Sequence, residues 1–299
     1  MKLAIAAVYL AVDRLDQRLL EVHLNQIEKN TSEPYLLYAA ANRLPEGLRQ
    51  AFARHPHVKV LDLPATGLRG SGENAYYLEL LVRTAIEEGA THVCTMHMDS
   101  FPVRPGWATK LARQLKEDCV LAGMERDPYR DKKPLTAFLL FTREFYLAYR
   151  PTFSLTAEVV RNPEYQRYAR SHPHILDSGA GYGFTVFHEG LSWYRLVRTD
   201  RGPEGWGFGI FGDLIFHLGG AQWFPLQDTG LQRRPNRWMP WLERLWRAVG
   251  RVLPGKFRSR IGELAPGTLQ QDLSSRRMAR RISALVASPE DFLRDLGVS

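Results

Sequence analysis

Residues 91–107 read THVCTMHMDSFPVRPGW, and this stretch decides how the rest of the sequence is interpreted. It begins with an apolar run that is typical of a buried strand, and it ends in an isolated carboxylate, Asp99. In an open sheet of parallel strands, ligands bind at the carboxyl ends of the strands. We therefore expect Asp99 to lie where a ligand is bound.

Short apolar runs alternate with segments of helical periodicity on both sides of this stretch. Strands are predicted at 2–9, 35–41, 58–63, 119–124 and 136–142, and helices at 15–29, 45–54, 74–88 and 107–116. Residues 151–174 are polar, aromatic and irregular, which predicts an insertion or an ordered loop region. The alternation predicts an α/β fold with a mostly parallel central sheet and helices on both faces.

The composition indicates which partners and which cellular compartment to expect. The chain has 299 residues and a formal net charge of +8, which favours anionic partners such as nucleotide diphosphates, acidic glycans or acidic lipid surfaces. Its two cysteines are too few for a disulfide framework and predict a reducing compartment. The apolar start passes directly into a helical pattern, unlike a secretory signal, and no apolar run approaches the roughly 18 residues of a membrane span. We therefore expect a cytoplasmic protein, with a peripheral place at the inner face of the membrane as a second option.

Residues 97–102, HMDSFP, followed by PGW at 105–107, resemble the Asp-x-Asp motif of family-2-like GT-A glycosyltransferases. The resemblance implies a GT-A, Rossmann-like fold, a nucleotide-sugar donor and a divalent metal ion, Mn²⁺ or Mg²⁺. His97 stands in place of the first acid of the motif. Because the last acid of the motif usually touches the ion, the resemblance makes Asp99 a metal ligand and assigns His97, Met98 and Asp99 to the donor site.

A second metal ligand is expected in residues 216–220, FHLGG. Several GT-A families place a histidine there, and His217 is the candidate. An imidazole beside a carboxylate suits a divalent ion that neutralises the diphosphate of the donor. The alternatives are structural: His217 would be a neutral imidazole in the core, and Asp99 would cap a turn.

Residues 204–213, EGWGFGIFGD, partly resemble the acceptor segment of inverting GT-A enzymes, with Gly212 in place of a glutamate. The resemblance implies inversion, with Asp213 as the base that deprotonates the acceptor hydroxyl. It makes Trp206 an apolar platform for a sugar ring. Asp177, in a glycine-rich stretch, is the competing acid and an acceptor-side contact. The HLGG stretch also resembles retaining enzymes, so retention stays open.

Contacts to the base and ribose of the donor are assigned by position alone. They would come from the ends of the first two strands and from the glycine-containing loop before the fourth. The candidates are Val8, Tyr9, Asn42, Arg69, Ser71 and Asn74.

The sequence divides into a nucleotide-sugar-binding half at 1–125, an acceptor-binding and catalytic half of the same domain at 126–232, and a basic, mainly helical C-terminal extension at 233–299. Residues 238–261 combine tryptophans with basic residues, which predicts peripheral contact with an anionic membrane and suits a lipid-linked acceptor. Basic clusters elsewhere in the extension lack a nucleic-acid motif, so no nucleic-acid partner is expected.

These features predict a metal-dependent glycosyltransferase that moves a sugar from a nucleotide-sugar donor to the hydroxyl of a glycan or lipid-linked acceptor. Two alternatives stay open. His97 and Gly212 each replace an acid, which suggests a GT-A-like protein that binds glycan or nucleotide without turnover. Residues 60–67, VLDLPATG, resemble the first motif of an S-adenosylmethionine-dependent methyltransferase, with Pro64 in place of its first glycine.

Overall fold

The computed structural model describes residues 1–10, 14–68, 70–127, 131–171, 178–200, 207–219 and 278–298. Arg69, Asp177, Trp206 and the tryptophan-rich segment 238–261 lie outside these ranges. No described helix combines the length and the apolar character that crossing a membrane requires.

The first half of the chain repeats a strand–helix unit, as the alternation predicts. Its elements are β1 (Leu3–Leu10), α1 (Arg14–Asn30), β2 (Tyr35–Arg43), α2 (Glu46–Ala53), β3 (Val58–Leu61), α3 (Ser71–Glu87), β4 (His92–Met96), β5 (Ser100–Pro102) and α4 (Trp107–Ala112). The later elements are β6 (Cys119–Asp127), β7 (Asp131–Thr142), α5 (Arg143–Tyr149), α6 (Ala157–Arg161), α7 (Pro163–Ser171), α8 (Ala180–His188), β8 (Ser192–Leu196), β9 (Gly209–Phe211) and β10 (Ile215–His217).

Seven of these strands form the central sheet, in the order β3-β2-β1-β4-β7-β6-β8. The pairs β2–β3, β1–β2, β1–β4 and β6–β8 are parallel, and β7 runs antiparallel to both of its neighbours. The expected α/β class with a mostly parallel sheet is confirmed. Strand order reverses between β1 and β4, so a switch point lies there, which is where open sheets of this kind bind ligands.

Helices cover both faces of the sheet because both faces are apolar. Alternate residues of β1 point to opposite sides: Leu3 and Ile5 belong to one core and Ala4 and Ala6 to the other. The first core includes residues of α1 and α4, and the second includes residues of α3, α5 and α8. Burial on both faces explains why the strands read as continuous apolar runs rather than alternating ones.

The end of the chain returns to this domain. Residues 278–287 are helical (α9), and α10 (Pro289–Asp295) follows. Apolar side chains of both helices belong to the same core as α1. Arg18 of α1 donates to the carbonyl oxygen of Val286 over 2.8 Å, and Lys29 pairs with Glu290 over 2.8 Å. The described end of the predicted extension is therefore part of the main hydrophobic core.

Several element bounds differ from the sequence-based expectation, and three of the differences concern the site or its surroundings. The irregular stretch 151–174 contains two short helices, α6 and α7, and Thr156 caps α6 by accepting a hydrogen bond from the Val159 amide. Helix α3 begins at Ser71 rather than Asn74, because Gly70 takes a positive φ of 60° that ends the preceding loop. Strand β4 ends at Met96, so Asp99 follows the strand in a turn.

Candidate metal and donor site

Asp99 lies in a tight turn that follows β4, next to the switch point of the central sheet. Residues 97–99 leave β4 and enter β5, and the amide of Ser100 donates to the carbonyl oxygen of His97 over 2.9 Å. The Ser100 hydroxyl lies 3.0 Å from the His97 amide and 2.5 Å from the carbonyl oxygen of Ala137 on β7. These bonds fix the turn to the neighbouring strand, so His97 and Asp99 hold one relative position.

A second, three-stranded sheet brings His217 to the same turn. Its order is β5-β10-β9, all antiparallel, with His217 of β10 opposite Ser100 of β5. One residue beyond the pair, the Leu218 amide donates to the carbonyl oxygen of Asp99 over 2.9 Å. Strand register therefore places a side chain from the C-terminal half beside a carboxylate from the N-terminal half.

His97, Asp99 and His217 form one cluster, and their ligand atoms all lie within 4.8 Å of one another. Nε2 of His217 is 3.6 Å from Oδ1 of Asp99, and Nδ1 of His97 is 4.0 Å from the same oxygen. The Asp99 side chain is 0% exposed and that of His217 is 3% exposed, whereas the His97 side chain is 21% exposed. The cluster is thus buried on two sides and reached from the side of His97.

The His217 ring has a defined tautomer. Its Nδ1 lies 2.5 Å from the carbonyl oxygen of Gly207, which can only accept, so Nδ1 carries the proton and donates. Gly207 has a φ of 64°, and a Cβ there would lie 3.4 Å from the imidazole. Nε2 lies on the side of Asp99, 3.6 Å from its Oδ1, and has no hydrogen-bond partner among the described residues. A buried nitrogen presented in this way is typical of a metal ligand oriented by a backbone carbonyl.

Asn74 connects the cluster to the first turn of α3. Its side-chain nitrogen is 3.4 Å from Nε2 of His97 and 3.2 Å from the hydroxyl of Ser178. Ser178 in turn lies 2.8 Å from the hydroxyl of Thr136 on β7. His97 is therefore held from the helix side as well as by its own turn.

A buried histidine, His23, forms a hydrogen bond with the backbone next to Asp99. His23 of α1 is 0% exposed; its Nδ1 lies 2.9 Å from the carbonyl oxygen of Ser100, and its Nε2 lies 2.9 Å from the hydroxyl of Tyr9. Nδ1 must donate to the carbonyl, so Nε2 accepts from the tyrosine. Burial lowers the pKa of His23 to about 4, and burial raises the pKa of Tyr9 well above its usual value. Both groups are neutral at pH 7.

We expect His23 to make the fold sensitive to acid. The neutral native state titrates at a pKa of about 4, whereas the unfolded chain titrates near the ordinary value of 6.5. The unfolded state binds the proton first, so stability falls as the pH is lowered from about 6.5 to 4 and levels off below that. This single group contributes about 3 kcal/mol to the fall.

Urea unfolding between pH 7 and pH 4 measures this effect. His23→Gln should flatten the decline in that window while lowering stability at pH 7, since the glutamine does not reproduce both hydrogen bonds. His57→Gln, which replaces an exposed histidine, is the control. A decline of equal size in wild type and His23→Gln would exclude His23 as its source.

Several residues assigned to the donor site by position gather at the same edge of the sheet. Asn42, the second-last residue of β2, donates to the carbonyl oxygen of Leu63 over 2.9 Å, and Ser71 opens α3 close to Asn74. Val8 is half-buried near the end of β1. The structure therefore brings the ends of the first strands and the start of α3 to one edge.

An ion pair that the sequence did not reveal braces this edge. Arg43 ends β2, and Glu73 lies in the first turn of α3 with only 5% of its surface exposed. Nε of Arg43 donates to Oε1 of Glu73 over 2.9 Å, and its terminal nitrogen lies 2.8 Å from Oε2. This hydrogen-bonded ion pair fixes the start of α3 against β2 and so positions Asn74, the next residue.

Two donor-site candidates have their side chains in the core. Tyr9 is 1% exposed and packs edge-on against Phe52, with ring centroids 4.7 Å apart. Met98 is also 1% exposed and belongs to the core that covers α1. The alternation of β1 turns Tyr9 inward, and the turn after β4 does the same for Met98. A donor contact at these two positions can come only from the backbone.

Asp213 lies apart from the cluster. It lies on the turn between β9 and β10, with a φ of 58°, and its amide donates to the Thr199 hydroxyl over 3.1 Å. With Arg104 and Leu296 it lines a cavity of about 220 Å³. His217 is at the other end of β10, on the order of 10 Å away along the chain. The structure does not bring Asp213 to Asp99 and His217.

Sequence reasoning missed the residues that orient the cluster, namely Ser100, Gly207, His23, Thr136 and Ser178. Ser100 and Gly207 lie in the quoted stretches 97–102 and 204–213 but were given no role, the other three lie in no motif, and each acts through a tertiary hydrogen bond. Only Gly207 carried a signal, because it lies in the glycine-rich stretch before His217.

No family model and no curated protein matches the sequence. Among solved structures, the chain is similar to the galactosyltransferase LgtC in complex with donor and acceptor sugar analogues, at 11% identity and a TM-score of 0.38 over 67% of this chain and 73% of that one. It is similar to mouse xyloside xylosyltransferase 1 at 8% identity and a TM-score of 0.40, over 66% and 85%. It is also similar to S. aureus TarS 1–349 in complex with UDP-GlcNAc, at 10% identity and a TM-score of 0.37, over 51% and 48%.

Two of these proteins are named as glycosyltransferases. Similarities with such low identities and TM-scores carry no argument about this chain. Its function has to be inferred from its own residues.

Proposed function

We propose that this protein is a metal-dependent glycosyltransferase that moves a sugar from a nucleotide-sugar donor to an acceptor hydroxyl. One observation carries the proposal: a buried carboxylate, Asp99, and a buried imidazole, His217, meet from two distant parts of the chain at the switch point of a parallel sheet. Buried polar groups of this kind, converging where such sheets bind ligands, are the ordinary signature of a functional site.

The donor set fits a divalent ion. Asp99 offers a hard oxygen, and His217 presents Nε2 as a lone pair while Gly207 holds its other nitrogen. A divalent ion bound by these residues would neutralise the negative charge that develops on a departing nucleoside diphosphate. The burial of both ligands keeps them in a low-dielectric environment, where they are already in position and need no rearrangement.

The start of α3 is the expected place for the phosphates and ribose of the donor. The first intrahelical bond of α3 runs from the Asn74 amide to the carbonyl oxygen of Gly70, so the amides before Asn74 are left for other partners. The positive end of the helix dipole and these amides favour an anion. Asn74 itself adjoins His97, which places this helix end next to the cluster.

Inversion with Asp213 as the base stays part of the proposal. A base must lie within hydrogen-bond reach of the hydroxyl it deprotonates. From the turn between β9 and β10, Asp213 meets that condition only for an acceptor that extends from the cluster to that turn. Asp177, the competing acid, lies outside the described residues.

Asp213→Asn tests the assignment of the base. If Asp213 acts as the base, its loss lowers kcat by about 100-fold to 10,000-fold and leaves donor binding unchanged. Steady-state turnover and donor affinity are measured in parallel for Asp213→Asn and Asp177→Asn. Turnover of Asp213→Asn within a few-fold of wild type would reassign the role, and a large loss in Asp177→Asn alone would give it to that acid.

A thermal-shift screen of the purified protein tests the proposed function. UDP-, GDP- and dTDP-sugars are each added with and without Mn²⁺. Stabilisation that requires both sugar nucleotide and metal is the expected result, and it would name the nucleotide through ligand-linked stability. Binding without any transfer or hydrolysis, over many glycan and lipid-linked acceptors, would support a non-catalytic binding protein instead. Absence of stabilisation under all conditions would contradict the proposal.

The methyltransferase alternative gains nothing from the fold. The stretch 60–67 that resembles a methyltransferase motif begins in β3. This strand lies at the edge of the central sheet, with β2 and β1 between it and the switch point. Binding of S-adenosylmethionine without metal-dependent nucleotide binding would favour it.

The acceptor is proposed to be a glycan or a lipid-linked sugar. Peripheral contact with an anionic membrane through 238–261 stays a prediction.

A further inference from the structure

We infer that the cluster of His97, Asp99 and His217 binds one metal ion through two imidazole nitrogens and one carboxylate oxygen, and that it therefore selects Mn²⁺, Co²⁺ or Zn²⁺ over Mg²⁺. The inference deepens the proposed function, on which its biological meaning rests. It adds His97 to the metal ligands, and it decides against one of the two metals that the sequence motif allows.

The spacing of the three side chains fits a single ion. Protein ligands lie about 2.1 Å from such ions, so two ligand atoms on one ion are about 3.0 Å apart at a right angle and about 4.2 Å apart when opposite. The two distances to Oδ1 of Asp99, 3.6 Å from His217 and 4.0 Å from His97, fall within this range. One ion can therefore contact all three side chains with displacements well below an ångström.

Both rings are oriented by their second nitrogens. Gly207 takes the Nδ1 proton of His217 and leaves Nε2 for a ligand. Nε2 of His97 faces the Asn74 amide, which leaves Nδ1 on the side of Asp99. An amide turned about its terminal bond presents oxygen in place of nitrogen, and that orientation would accept the Nε2 proton of His97. Partners of this kind set the ligating nitrogen of a metal-bound histidine.

His217 supplies a second reason to expect a ligand. It is 2% exposed, and Nε2 has no hydrogen-bond partner among the described residues. A buried polar atom without a partner is unfavourable, and coordination to an ion would supply the partner. The nitrogen points into the cluster, 3.6 Å from the carboxylate.

The chemistry of the three ligating side chains determines which metal ion the cluster prefers. Mg²⁺ is small, prefers six oxygen ligands and gives up its water reluctantly. Imidazole nitrogen suits Zn²⁺ and its neighbours in the first transition series, and affinity along that series rises from Mn²⁺ through Co²⁺. Two nitrogens and one oxygen therefore disfavour Mg²⁺, whereas a motif with two acids in positions 97 and 99 would accept it.

The test measures metal binding to the protein without any nucleotide. Metal-free protein, prepared with a chelator, is titrated with Co²⁺ by visible absorption and with Mg²⁺ by calorimetry. We expect the Kd for Mg²⁺ to exceed that for Co²⁺ by at least about 100-fold. His97→Asp puts a carboxylate at both 97 and 99 and should lower this ratio by about tenfold or more. His217→Gln should weaken Co²⁺ binding and remove the visible absorption bands of the bound ion.

Two controls keep the result specific to the cluster. His55 and His57 lie close together near the surface, with ring centroids 6.2 Å apart, and could hold Co²⁺ adventitiously, so His57→Gln is titrated as well. Circular dichroism of each variant checks that the fold is retained.

The inference is overturned if Mg²⁺ and Co²⁺ bind with similar affinity, if the ratio is the same in His97→Asp, or if Co²⁺ binding is lost in His57→Gln and kept in His217→Gln. The two proposals fail separately. Selective Co²⁺ binding without any sugar-nucleotide binding would sink the transferase and leave the metal site standing. Sugar-nucleotide binding that Mg²⁺ supports as well as Mn²⁺ would leave the transferase standing and refute the selectivity of the metal site.

Discussion

Replacing Asp99 by asparagine is expected to lower the proposed glycosyl transfer by at least about 1,000-fold, because the variant loses the only anionic side chain among the three proposed metal ligands. Charge stabilisation by a metal ion contributes several kcal/mol at the transition state, and about 4 kcal/mol corresponds to three orders of magnitude in rate. Asparagine would keep the shape of the native side chain, which is 0% exposed. The loss should therefore appear in metal and donor binding as well as in turnover, with the fold retained.

Turnover, metal affinity and the thermal shift with sugar nucleotide are the three measurements for Asp99→Asn. The matched control is Asp62→Asn, which removes a fully exposed carboxylate after β3. Turnover within tenfold of wild type, or an unchanged metal affinity, would refute the role of Asp99. The same result in Asp62→Asn and Asp99→Asn would point to a general effect of net charge.

Replacing Gly181 by alanine should be among the most destabilising single substitutions in the described chain. A Cβ at this position of α8 would lie 1.8 Å from the carbonyl oxygen of Thr152 and 3.0 Å from its carbonyl carbon. The contact is with backbone, which cannot rotate away as a side chain would. Overpacking of a close-packed interior typically costs 1–3 kcal/mol, and we expect about 3 kcal/mol or more here.

Gly47→Ala is the matched control for this substitution. Gly47 also lies in a helix, α2, and no atom lies within 4 Å of the place that an added Cβ would take. Alanine should stabilise α2 there by about 0.5–1 kcal/mol through better helix propensity. Urea denaturation measures the free energy of unfolding of both variants. It should fall in Gly181→Ala and rise in Gly47→Ala. A loss below about 1 kcal/mol for Gly181→Ala would show that α8 moves freely away from Thr152.

The sequence alone predicted the α/β architecture because the signal is local. Apolar runs of strand length alternate with helical periodicity, and β1 reads as one such run because it is buried on both faces. Asp99 was found for the same reason, since an isolated carboxylate at the end of a buried strand is visible in one short stretch. His217 was proposed from the family resemblance, and the structure brings it to Asp99.

The rest of the site depends on register and tertiary contacts, which one sequence does not encode visibly. Asp213 and His217 lie close together in sequence, yet Asp213 lies in the turn before β10, on the side of Arg104 and Leu296, and His217 is the last residue of β10. Tyr9 was assigned to the donor by position, but the alternation of β1 turns its side chain into the core. The role of Gly207 and His23 in orienting the cluster could not be predicted from the sequence, because each acts through individual hydrogen bonds.

The three-stranded sheet has a consequence for the order in which this chain matures. Its first strand, β5, comes from the N-terminal half, and the two that complete it, β9 and β10, are synthesised much later. A nascent chain that has emerged only as far as β7 already displays His97 and Asp99 but lacks His217. During synthesis the chain therefore passes through an interval in which the cluster of His97, Asp99 and His217 is incomplete. Capture of the proposed ion would then report that the C-terminal half has docked.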